Sequence, residues 1–64
     1  MKYYIYMVYS AAEFGYYKKE NGYVTCVEDI ADATPIPTKT IANAVLQALK
    51  DEEGISYGEI IEAQ

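Results

Sequence analysis

Gly15-Tyr16-Tyr17-Lys18-Lys19-Glu20-Asn21-Gly22-Tyr23-Val24-Thr25-Cys26-Val27 sets an Asn-Gly pair between two runs rich in aromatic and β-branched residues. That arrangement is a strong short hairpin signal, because a type I′ turn needs positive φ at both central positions. A two-residue loop also sets the register. Glu20 opposes Tyr23, Lys18 opposes Thr25 and Tyr16 opposes Val27, while Lys19, Val24, Tyr17 and Cys26 share the other face. Val24, Cys26 and Tyr17 mark that second face as the core side.

Working outward, Lys2 to Tyr9 is aromatic and β-branched and predicts a strand, followed by a turn region from Ser10 to Gly15. Ile5 and Met7 share a parity with Tyr3 and Tyr9 and are the core residues of this strand. Glu28 to Asp32 forms an acidic connection. Pro35 and Pro37 block helix before Thr38, which can then cap a helix running to about Asp51. Ile41, Ala42, Val45, Leu46, Ala48 and Leu49 give that helix an apolar stripe, and Gly54 ends it. Residues 55–62 fit two patterns. Ser56 and Glu59 match a capping box, but Gly58 and the Ile60-Ile61 pair favour a last strand, which is the reading adopted. The expected fold class is α+β: a small antiparallel β-β-β-α-β sheet with one helix on one face, over residues 1–64 as a single domain. One helix covers one face only, so Tyr4, Tyr6, Tyr16 and Tyr23, with Val8 and Val27, are expected to form an uncovered aromatic patch.

Eight tyrosines in 64 residues strengthen that expectation, since each buried hydroxyl needs a partner and a small domain cannot supply so many. A chain of this size should fold to a surface of about 4,100 Å². Burial then contributes about 95 kcal/mol at about 25 cal/mol per Å² of apolar surface. Ordering costs about the same, at about 1.5 kcal/mol per residue. Small domains so balanced often gain from a metal, disulfides or self-association. With one Cys and no His, self-association is the remaining route, and a homodimer is expected with no cofactor and no metal. The single Cys26 fits an intracellular compartment and a small core thiol. The Met1 to Ala12 stretch is read as a strand and not as a leader, and no run approaches the length of a membrane span.

The net charge is −5 and uneven: residues 1–27 hold three Lys against two Glu, and residues 28–64 hold two Lys against eight acids. The chain has no Arg, so direct nucleic-acid binding is disfavoured. Enzyme chemistry is disfavoured too, since no His is present and no phosphate loop or metal motif can be read. Gly22-Tyr23-Val24-Thr25, Glu28-Asp29, Asp32-Ala33-Thr34, the helix from Thr38 and the closing Gly58-Glu59-Ile60-Ile61-Glu62 together resemble a loose class of short phage-encoded open reading frames. The resemblance implies a host-takeover or anti-defence protein that binds host machinery, such as CRISPR effectors (an anti-CRISPR), other defence proteins, or polymerase and replication factors. It carries no residue roles. The expectation is therefore a non-enzymatic inhibitor acting in a bacterial cytoplasm on a host protein, in particular a basic nucleic-acid-handling one. Tyr4, Tyr6, Tyr16 and Tyr23 would supply contact area. Glu28, Asp29, Asp32, Asp51, Glu52 and Glu53 would meet basic residues, as a partial nucleic-acid mimic. A second expectation is a dimer that sequesters a small nucleotide signal in a pocket lined by Tyr and by Lys18 or Lys19.

Overall fold

Asn21 (φ 53°) and Gly22 (φ 82°) turn the chain between β2 (Glu13–Glu20) and β3 (Tyr23–Val27) in the computed structural model, which describes residues 1–63. The pairs Glu20–Tyr23, Lys18–Thr25 and Tyr16–Val27 are those a two-residue loop demands. β1 (Lys2–Ser10) pairs antiparallel with β2 on one side and with β4 (Tyr57–Ala63) on the other, giving the order β3-β2-β1-β4. α1 (Lys39–Ala48) comes between β3 and β4 in the chain, so the α+β, β-β-β-α-β expectation holds. The accessible surface, 4281 Å², is close to the value expected from chain length alone.

Several boundaries moved. The turn region foreseen over Ser10 to Gly15 shrinks to Ala11-Ala12, so Glu13 and Phe14 belong to β2. The pairing slips between Val8 and Ser10, a bulge that takes up Tyr9. The last strand expected within residues 55–62 is present, but it starts at Tyr57 and runs to Ala63. Ser56 does not cap a helix; its Oγ donates to the Val8 carbonyl at 3.0 Å and its N–H to the same oxygen at 2.8 Å.

Thr38 caps α1 as expected, its Oγ1 accepting from the Ile41 N–H at 3.1 Å. The helix continues two residues past the foreseen end, through a π-helical turn over Leu49–Glu53, and stops at Gly54 in the left-handed conformation. Ala42 and Leu49 are buried and Val45 and Leu46 pack beside them, a stripe at i, i+3, i+4 and i+7. Ile41 was expected in that stripe but is 46% exposed, because it sits one step off the contact line in the first turn. The core joins this stripe to Ile5, Met7, Tyr17, Ile36 and Ile55, with Val24 and Cys26 packed against it, so α1 covers the odd-numbered face of β1.

β1 and β2 part beyond the Tyr6–Tyr16 pair, and residues 34–36 fill the gap. The Thr34 N–H donates to the Tyr17 carbonyl at 3.0 Å and Thr34 Oγ1 accepts from the Lys19 N–H at 2.8 Å. Ile36 exchanges two backbone bonds with Tyr3, each 2.8 Å, and is buried. Two strand edges that would have lacked partners are thus stitched together by the segment before the helix.

Candidate functional site

Among the described residues no helix lies on the face of the sheet opposite α1, and the side chains of that face follow from the register. Val27, Tyr16, Tyr6 and Glu59 lie side by side across β3, β2, β1 and β4. Beside them run Phe14, Val8 and Tyr57. On the other side, Thr25 and Lys18 lie together on β3 and β2, and Tyr4 and Ile61 on β1 and β4. Tyr23 stands at the hairpin end, 74% exposed, with Tyr57 at 53% and Phe14 at 52%. The Tyr6 and Tyr16 rings meet edge to face, centroids 5.3 Å apart and planes at 77°, which fixes two neighbouring rings in the middle of the patch.

The four Tyr residues expected at this surface are therefore on it together. Phe14, Tyr57 and Ile61 share it and were not foreseen. Phe14 had been assigned to a turn. Nothing local says that β4 lies beside β1 with Tyr57 opposite Val8. The face is electrically balanced, with Lys2 and Lys18 against Glu20 and Glu59. Lys18 Nζ lies 3.7 Å from Glu20 Oε1, an exposed pair worth little to stability.

The six acids expected to meet a partner lie elsewhere. Glu28 and Asp29 directly follow β3. Asp29 caps a 3₁₀ turn over Ile30–Asp32, its Oδ1 accepting from the Ala31 N–H at 2.9 Å. Asp51, Glu52 and Glu53 sit in the π-helical turn, on the helix side of the sheet and away from the tyrosine face. Asp51 Oδ1 accepts from Gln47 Nε2 at 3.2 Å, and Glu53 Oε1 accepts from the Tyr9 hydroxyl at 3.3 Å. Burial, with the Glu53 charge second, raises the Tyr9 phenol above its ordinary range. Between this end of the helix and the hairpin lies a half-open groove of about 180 Å³, with Tyr17, Val24, Val45 and Leu49 on its walls and Lys19, Glu52 and Glu53 beside them. Two carboxylates against one ammonium make it a poor seat for a phosphate.

No family model, curated protein or solved structure matches this chain. Among the described residues, no helix is long and apolar enough to cross a membrane.

Proposed function

We propose that this chain is a non-catalytic inhibitor, of the kind small phage proteins supply against a bacterial host, acting in the host cytoplasm by covering a surface of a host protein. The observation that carries this reading is the open sheet face. It gathers Tyr4, Tyr6, Phe14, Tyr16, Tyr23 and Tyr57 on one surface that no helix covers among the described residues. Tyrosine supplies large, stiff contact area with a polar tip, the profile of an interface anchor. Exposed ring faces also accept guanidinium and ammonium groups. Together with a net charge of −5, this favours a basic partner, one that otherwise handles nucleic acid.

The fold divides the expected contact set. A partner seated on the tyrosine face is on the far side of the sheet from Asp51, Glu52 and Glu53, so those acids act through the long-range field while Glu28 and Asp29, next to Val27, act at the rim. The test is affinity capture from bacterial lysate with the parent chain and with a Tyr16→Asp, Tyr23→Asp variant, read by mass spectrometry. The expected result is a basic nucleic-acid-binding protein held by the parent and lost by the variant, whose activity the purified parent then inhibits. Identical capture by both proteins removes the tyrosine face from the function.

A further inference from the structure

The two outer strands of the sheet are protected very differently. β4 carries Glu59 and Glu62 and has Gly58 near its start, devices that discourage pairing with another strand. β3, Tyr23-Val24-Thr25-Cys26-Val27, has no charge, no Pro and no break in its pairing with β2. Among the described residues, nothing pairs with its outer edge. The hairpin fixes which backbone groups face outward. Tyr23 closes the two-residue turn, so Tyr23, Thr25 and Val27 bond to β2, and the N–H and C=O groups of Val24 and Cys26 point away from the sheet.

From this edge we infer that a second copy of the chain pairs antiparallel along β3, joining two sheets into one of eight strands about a two-fold axis at Thr25. The outward groups decide the register. Val24 of each copy exchanges two hydrogen bonds with Cys26 of the other, so Thr25 faces its own equivalent in a non-hydrogen-bonded pair, at a Cα separation of about 4.5 Å. In that register each Tyr23 lies opposite a Val27, an aromatic with a β-branched residue, and the two Thr25 hydroxyls meet. The edge sequence is thus complementary to itself. Charge does not oppose the pairing: Tyr23 to Val27 carries no carboxylate or ammonium, so no like charges meet across the seam. The isologous arrangement closes after two copies. A five-residue seam is about 17 Å long. Such a joint buries well under the roughly 1,200 Å² of a standard interface, so the dimer exchanges with monomer as concentration changes. It leaves both tyrosine faces open and side by side, which doubles the binding surface without using it.

Sedimentation velocity over a rising concentration series tests this, with the parent, Thr25→Lys and Tyr6→Lys. Thr25→Lys sets two like charges opposite each other at the axis while changing an exposed side chain. It is expected to give a folded monomer whose melting temperature falls slightly, because the new ammonium also faces Lys18 of its own β2. Tyr6→Lys, on the face but off the edge, is expected to dimerise like the parent. Amide exchange on the parent adds a readout that needs no variant: with rising concentration Val24 and Cys26 gain protection, and Tyr23 and Thr25 do not. A parent that stays monomeric up to high micromolar concentration overturns the inference, as does a dimer that survives Thr25→Lys. A dimer lost in Tyr6→Lys places the copies face to face instead. Protection of Val24 and Cys26 that appears only when a captured host protein is added assigns the edge to a foreign strand. The tyrosine-face reading stands or falls separately, by the capture experiment.

Discussion

At the scale of single residues, Gly22 and Tyr17 show two different constraints. A Cβ at Gly22 would meet nothing within 4 Å, so the position is set by φ 82° and not by space. Gly22→Val forces a β-branched residue into the left-handed region and should cost more than about 1 kcal/mol. In a domain of this size that lowers the melting temperature by at least about 4 °C. A melt matching the parent would show that the turn does not need its glycine. Tyr17 is constrained by burial, which raises its phenol above the ordinary 10.0. The sign follows directly. An unfolded Tyr17 loses its proton first as pH rises, so the contribution is complete below about 10 and is lost as pH climbs from there toward the folded value. Urea midpoints measured at about pH 9 and about pH 11 should fall further for the parent than for Tyr17→Phe. Equal falls would mean the phenol is as free in the fold as in the unfolded chain.

At the scale of elements, the contact between α1 and β4 rests on Gly58. A Cβ there would collide with the Leu46 side chain and come within 3.0 Å of Ile55 Cδ1. Gly58→Ala therefore crowds the helix–sheet seam and makes the Leu46 and Ile55 side-chain ends shift, at a cost of up to about 1 kcal/mol. Truncating the obstacle should relieve it: in a Leu46→Ala background the same substitution costs less, a coupling that a double-mutant cycle in urea measures. Additive costs would refute the contact. The acidic turn at the end of α1 has a simpler local logic. Anions at a helix C-terminus are mildly unfavourable, yet Asp51 and Glu53 each hold a side-chain donor, Gln47 and Tyr9, that offsets part of the misfit. The Pro-bracketed connection is likewise structural in part, since Thr34 and Ile36 close the gap between β1 and β2.

At the scale of the whole molecule, the sheet separates aromatic contact area from much of the charge, and that makes binding kinetics diagnostic. For the captured partner, association should slow steeply as salt rises, because steering acts through charges screened beyond about 8 Å at physiological ionic strength. With the partner on the tyrosine face, Glu28→Gln with Asp29→Asn should lower the on-rate more than Glu52→Gln with Glu53→Gln, although each pair removes the same charge. Tyr16→Ala should raise the off-rate instead, as loss of a buried anchor does. Surface-plasmon kinetics at two salt concentrations read all three. The opposite order of the acid pairs would put the partner on the helix side, over the groove beside Glu52.

The sequence by itself determined the hairpin and its register, the parity of Ile5 and Met7, the cap at Thr38, the stop at Gly54 and the four-tyrosine patch. Each rests on signals carried by near neighbours: turn chemistry at Asn21-Gly22, the two-residue alternation of strands, and the i, i+3, i+4 spacing of a helix. Only the tertiary structure decided that β4 lies beside β1, bringing Tyr57 and Ile61 onto the open face, and that β3 is left as an unguarded edge. It alone seated residues 34–36 between two parting strands and set Asp51, Glu52 and Glu53 on the side away from the tyrosines. Those outcomes depend on hydrogen bonds and packing between segments far apart in the chain. A strand's own alternation shows which residues share a face, but not which neighbour it joins.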